Sequence, residues 1–332
     1  MSGLTIIATT AGKAIFPLDK TWRLESSVSD SLSREVVRLA GWMAYEQVSQ
    51  TLDRLGHVSV PAATVWTEAK RQGERLQAQD AGEQARVGVE RVQWQDGRYD
   101  GKARKAISLD GGMVAVRGEG WKELKVGVVS EMETAASTEQ QTVHLQQAHY
   151  TAVLGDSGQF KPALWALAWR QGVPFAGDSA VTADGALWIW HLVADLFPGS
   201  TQIVDWYHAV QHLAEAVQTR FPAGGSEADV WLEMLKTWLS RGELKSIIRT
   251  LDEAGLADHS PYFRRHQRRM QYQEFREQGY PIGSGAIESG IKQYKQRFCG
   301  PGMQWSRPGA QRMAVIRSAI LSNDFDRLWD AA

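Results

Sequence analysis

A chain of 332 residues that is 43% hydrophobic and 23% charged can bury a large core, and nothing in that composition calls for disorder. No apolar run approaches the roughly 18 to 20 residues of a spanning helix, and MSGLTIIATTAGKAIF lacks the features of a secretory signal, so no membrane partner and a cytoplasmic address are expected. The formal net charge of −1 hides a division: between Pro261 and Arg317 eleven Lys or Arg stand against three Glu, a local +8 that leaves −9 for the remainder.

From Asp30 apolar side chains recur at helical spacing in three pieces, separated by Gly41 and by the stretch from Gly56 to Pro61. The second and third pieces, about Tyr45 to Leu55 and Ala62 to Leu76, are joined by a short break, as in a helix-turn-helix; a plain three-helix packing unit fits the same pattern. Residues 1–78 are therefore read as an N-terminal segment with a helical module, and 79–104 as a linker, its polar stretch from Gln77 to Arg98 being a linker or an exposed helix.

Within 105–207 the period turns extended. KAISLD, GGMVAVR and WKELKVGVVS predict three sequential strands, FKPALWALAWRQGV a helix stopped by Pro174, PFAGDSAVTAD a fourth strand, ALWIWHLVADLF a helix and TQIVDW a fifth strand. That order is the order of an α/β fold, a mixed sheet with helices on its faces. Residues 208–279 carry only helical patterns, and 280–332 hold a further helix at IESGIKQYKQR within the basic segment. No internal repeat is apparent.

Cys299 is the only cysteine, which excludes an internal disulfide and a thiolate zinc site and leaves oxygen or imidazole groups for any metal. Asp110 ends the first predicted strand, Asp184 ends the fourth, and Glu288 lies on the late helix. Each has a plain alternative: Asp-Gly-Gly is an ordinary hairpin turn, Asp-Gly an ordinary helix cap, and Glu288 an ordinary exposed glutamate. Together, two carboxylates at the C-terminal ends of strands and a third on a helix can converge at one sheet edge. Such a set suits two Mg²⁺ ions, with Mn²⁺ as a substitute, held about 3.5 to 4 Å apart for in-line phosphoryl transfer.

Lys292 and Lys295 follow Glu288 at i+4 and i+7 on one helix face, where they would grip a phosphate backbone or simply support the helix by pairing. Arg268, Arg269, Arg297 and Arg307 extend the basic segment as candidate DNA contacts, and Trp305, set among Gly, Pro and Arg, is the best candidate among 14 tryptophans to meet a base. Trp165, Trp169, Trp188 and Trp190 lie in apolar stretches and are read as core. His208 and His212 have the spacing of a zinc helix, but Ala209 stands where a metalloprotease has its glutamate, so a supporting role is favoured.

The segments FPLD, LDGGMV, WKELKVGVV, LWALAWRQGV, DGALWIW, IVDWYHAVQHL, PIGSGAIES and GMQWSRPGAQRM together resemble the ISKra family of bacterial insertion-sequence transposases, within the Mutator-like group of DDE enzymes. The resemblance runs over nearly the whole chain. It implies an RNase H-like core interrupted after its fifth strand by an all-helical insertion, here about 208–279, which accounts for the 104 residues from Asp184 to Glu288. It matches Asp110 and Asp184 to the two aspartates, Glu288 to the glutamate, and Asp205 and His208 to an Asp-x-x-His element whose histidine sits near the scissile phosphate. The implied activity is metal-dependent cleavage at transposon ends followed by strand transfer into target DNA, by a homodimer or higher oligomer on double-stranded DNA, nucleoid-associated when bound. One departure is that Ala8 and Ala11 stand where similar proteins carry a Cys pair of a zinc-ribbon-like region. Alternatives are a non-catalytic DNA-binding regulator derived from a transposase and a nuclease that cuts without joining; a two-carboxylate glycosidase is disfavoured by the basic segment.

Overall fold

The computed structural model describes residues 7–8, 14–15, 28–88, 100–135 and 142–330; the FPLD motif and linker residues 89–99 lie outside the described residues. Two short strands, β1 (Ile7–Ala8) and β2 (Ala14–Ile15), pair antiparallel. Helix α1 (Asp30–Ala40) begins where the Ser29 hydroxyl accepts from the Leu32 N–H, and it ends at Gly41, where a Cβ would collide with Ile320. Helices α2 (Tyr45–Gly56) and α3 (Ala62–Val87) complete the module around Val36, Ala40, Val48, Val65 and Ala69. The short break at 57–61 matches the sequence reading, but α3 runs to Val87, past the boundary at 78, and lies against the C-terminal helix at Gly73 and Arg312.

The centre is a five-stranded mixed sheet, which makes the protein α/β. Strands β3 (Asp100–Val116), β4 (Gly120–Ala135) and β5 (Thr142–Leu154) are successive and antiparallel; after α4 (Ser157–Arg170), β6 (Ala176–Ala183) joins β3 in parallel, and after α5 (Leu187–Leu196), β7 (Thr201–Val204) joins β6 in parallel. The order across the sheet is β5-β4-β3-β6-β7.

Two details correct the sequence reading. The Asp110-Gly111-Gly112 run is no turn: β3 continues through it to Val116, and the hairpin lies at 117–119. A helix of the C-terminal segment closes on the strand here: a Cβ on Gly112 would stand 3.6 Å from Ile291 and 3.9 Å from Lys295, ordinary van der Waals contact. The third strand is instead β5, TVHLQQAHYTAVL, whose polar sequence hides it. Its outer edge is closed by side chains from the C-terminal segment: the Tyr150 N–H donates to Ser322 Oγ at 2.8 Å and the Leu154 N–H to Gln311 Oε1 at 2.8 Å.

Alternation along β3 sorts the two layers. Ile107 and Leu109 face α4 and α5 with Phe160, Leu164 and Trp165, while Val114 and Val116 face the C-terminal helices with Val126, Ile287 and Ile291. Trp165 and Trp190 are buried in the first layer, with Trp169 and Trp188 packed on its rim.

From β7 the chain enters the helical run expected over 208–279: α6 (Trp206–Arg220), α7 (Ser226–Ser240), α8 (Leu244–Glu253), α9 (Ser260–His266) and α10 (Tyr272–Glu277). The chain returns beside its point of departure, where the Tyr272 hydroxyl donates to the Val204 carbonyl at 3.0 Å and the Trp206 N–H to the Ile282 carbonyl at 2.9 Å. Helices α11 (Gly285–Phe298), α12 (Arg307–Leu321) and α13 (Phe325–Asp330) cover the second face of the sheet. Among the described residues no helix is long and apolar enough to cross a membrane.

Candidate active site

The parallel register fixes the first two expected carboxylates. Leu109 pairs with Ala183 and Ala183 with Val204, and these are the last paired positions between β3, β6 and β7. The next residue on each strand is an aspartate: Asp110, Asp184 and Asp205. Strands in a sheet lie about 4.8 Å apart, so the three acids form one row where β6 and β7 leave the sheet.

Each aspartate is held differently. Asp110 Oδ1 accepts from its neighbour's N–H, Gly111, at 2.6 Å. Burial pushes the Asp110 pKa up; the Gly111 N–H, His208 and Lys295 oppose this, Asp184 adds to it, and the net shift is upward. Asp184 Oδ1 accepts from the Ala186 N–H at 2.8 Å, so the cap-like bond open to an Asp-Gly pair is made while the carboxylate stays half-buried at the strand end.

Asp205 is fully buried. Its Oδ1 accepts from the His208 N–H at 2.8 Å, capping α6, and its Oδ2 accepts from the Ser284 N–H at 2.5 Å. Burial alone would raise its pKa, but hydrogen bonds from His208 and Ser284 outweigh it and hold the carboxyl below the usual range. His208, with Nδ1 3.8 Å from Asp205 Oδ1, is shifted the other way: Asp205 chiefly, then Asp184 and Asp110, raise its pKa against the burial that lowers it.

Glu288 lies in the first turn of α11, the helix that packs on β3 at Gly112. Ser284 Oγ donates to Glu288 Oε1 at 3.2 Å, so Glu288 is tied through Ser284 to Asp205. Asp110, Asp184, His208 and Lys295 thus share one electrostatic neighbourhood. Among the described residues no three His, Cys, Asp or Glu side chains gather as a ready metal-holding group.

Of the expected DNA contacts, Lys292 and Lys295 are exposed on α11 beside this site, and Arg268 is exposed on the helical run. Arg269 is half-buried, its Nε donating to Gln202 Oε1 at 2.7 Å and its guanidinium 4.5 Å from the Trp190 ring. Arg307 is exposed and paired with Glu119. Arg297 and Trp305 are not open surface groups: Arg297 is 2% exposed with Nε donating to the Ala40 carbonyl at 2.6 Å, and Trp305 is 7% exposed with its indole N–H donating to the Phe298 carbonyl at 3.1 Å. The basic run therefore serves packing as well as solvent. His212 sits against Tyr262 with ring centroids 3.8 Å apart, in line with a supporting role.

Two members of the site carry no sequence signal of their own. Ser284 was one of several small residues in PIGSGAIES, and only its bond to Asp205, 79 residues away, marks it. Tyr262, on α9, packs so tightly on the turn after Asp184 that a Cβ on Gly185 would collide with its ring, and its buried hydroxyl has no hydrogen-bond partner. No family model and no curated protein matches the chain.

Proposed function

We propose that the chain is a DDE-type transposase similar to the ISKra family, a cytoplasmic, nucleoid-associated enzyme that cuts transposon ends and joins them to target double-stranded DNA as a homodimer or higher oligomer. The observation that carries this reading is the adjacency of Asp110 and Asp184, each one residue beyond the same paired position of two parallel strands. The helix bearing Glu288 closes on the same strand at Gly112. The five-stranded mixed sheet, with helices filling the stretch between its fifth strand and α11, supports the RNase H-like reading that the resemblance implies.

The donor set fits hard divalent cations: Asp110 and Asp184 offer neighbouring carboxylate oxygens, and the burial that disfavours a charged Asp110 is offset by a bound cation. Asp110, Asp184 and Glu288 would hold Mg²⁺ or Mn²⁺, with Glu288 giving up its bond from Ser284 to join the pair. Ions held by these residues would supply Lewis-acid activation of the attacking oxygen and charge stabilisation of the leaving one. The residues themselves orient and bind. His208, biased towards its protonated form, donates to a phosphate oxygen, Asp205 fixes the imidazole and the entry to α11, and Lys292 and Lys295 hold the backbone on either side.

Purified protein with Mg²⁺ or Mn²⁺ should nick or join DNA carrying the inverted repeats that flank its gene. Asp110→Ala, Asp184→Ala and Glu288→Ala should each abolish this while leaving DNA affinity largely intact; full activity in these variants rejects the assignment. A second reading, a transposase-derived DNA-binding regulator without catalysis, is favoured by one observation, the engagement of Glu288 by the Ser284 hydroxyl with no metal-holding group of three acids gathered among the described residues. Metal-dependent nicking by the purified chain would dismiss it.

A further inference from the structure

Between the N-terminal helices and the C-terminal basic segment lies a pocket of about 390 Å³ with no acidic residue in its lining. Three aromatic rings wall it: Tyr45 at the start of α2, Trp66 in the second turn of α3, and Trp305, whose backbone is bonded to the end of β3 through the Arg117 N–H and the Ala115 carbonyl. Trp66 is 50% exposed, although it is a large apolar side chain in a well-formed helix, and the Lys70 ammonium stands 5.8 Å from its ring.

The cations around these rings are only partly satisfied by the protein. The Arg297 guanidinium lies 5.2 Å from the Tyr45 ring and 4.7 Å from the Trp305 ring, and its buried Nη2 has no hydrogen-bond partner. Arg117, on the β3–β4 hairpin, adds an exposed guanidinium to the rim. Aromatic faces suit a planar base, a cationic rim suits a phosphate, and the lack of carboxylates disfavours an amine.

We propose that this pocket receives one unpaired nucleotide of a bound nucleic acid, its base stacked on Trp66 and its phosphate held by Arg117 and Lys70. This rests on the reading of DNA as partner, not on the cutting chemistry. Arg117 is seven residues along β3 from Asp110, about 23 Å at a strand's rise, so the nucleotide held here is a flanking one and not the one cut.

The test uses the full chain without divalent metal and two fluorescent duplexes, one bearing a single unpaired adenine and one with an abasic site at that position. Wild-type protein should prefer the adenine by roughly 5- to 150-fold, the worth of one base–aromatic stack. Trp66→Ala should erase that preference without weakening binding of the abasic duplex, and Trp66→Phe should restore most of it. Arg117→Ala should weaken both duplexes and lower the salt slope of binding by about one. Trp66 and Arg117 are exposed, so these variants keep the fold. Equal affinity of the wild type for both duplexes, or a preference that survives in Trp66→Ala, overturns the pocket assignment and leaves the DNA reading standing. Failure of the wild type to bind either duplex overturns both.

Discussion

Replacing Asp205 by alanine deletes one carboxylate and leaves two amides without acceptors. The side chain is fully buried, and its two oxygens take the His208 N–H at 2.8 Å and the Ser284 N–H at 2.5 Å. The first is a helix cap, worth about 1 kcal/mol; the second is a buried donor whose loss of partner costs about 1–3 kcal/mol, so the pair gives about 2–4 kcal/mol. At about 2–4 °C per kcal/mol for a protein of several hundred residues, the melting temperature should fall by about 4–16 °C at pH 7. Asp205→Asn keeps one acceptor and presents its amide N–H₂ to the other donor, and should lose about half as much. Because the folded-state pKa of Asp205 lies below its unfolded value, the stabilisation is present above about pH 4 and is lost as pH falls through the depressed folded value. Circular-dichroism melts at pH 7 and pH 5 should show the full gap between wild type and Asp205→Ala, and melts below pH 4 a shrinking one. A variant that melts with the wild type at pH 7, or a gap that does not shrink in acid, would refute the reasoning.

Asp110 has the opposite sign. Its folded-state pKa is raised, so the folded protein binds the extra proton and stability falls as pH rises from the unfolded carboxyl value through the raised one. Asp110→Asn should therefore be more stable than wild type at pH 7 in metal-free buffer and no more stable below pH 4, by the same melts; a destabilised variant at pH 7 contradicts the electrostatic account. Arg317 is fully buried, its Nη atoms donating to the Gly41 and Gln293 carbonyls at 3.1 Å each and its guanidinium 3.9 Å from the Trp42 ring. Arg317→Ala should cost about 3–5 kcal/mol in urea unfolding, and a loss under about 1 kcal/mol would show that these contacts are not made. Tyr262→Phe removes a buried hydroxyl that has no partner and should leave stability unchanged or raise it by about 1 kcal/mol; a loss of that size in the same assay would reveal a bond to the hydroxyl.

The parts of this molecule legible in its sequence are those set by local pattern. Apolar periodicity marked α1 to α3 and the helical run from β7 to α10, and Asp184 was identifiable as a strand end because an apolar strand stops and a helix starts within a few residues of it. What escaped is set by contacts distant in the chain. Asp110-Gly111-Gly112 has the composition of a turn, and only the pairing of Gly111 with Lys125 and of Gly112 with Leu124 on β4 shows the strand running through it. β5 was not among the predicted strands: its sequence is polar, and its outer edge is capped by Gln311 and Ser322 side chains from over 150 residues away. Arg297 and Trp305 are candidate DNA contacts by sequence and Arg317 part of the basic segment, yet the Tyr45 and Trp42 rings that lie against the two arginines belong to the first quarter of the chain.

The bonds from Tyr272 to Val204 and from Trp206 to Ile282 have an architectural consequence. They pin the base of the excursion shut, so whatever is spliced between those positions begins and ends at one point of the framework. Closure entropy grows only by about 0.6 kcal/mol for each doubling of loop length. A shorter or longer bundle grafted at that neck would therefore leave the acidic row undisturbed.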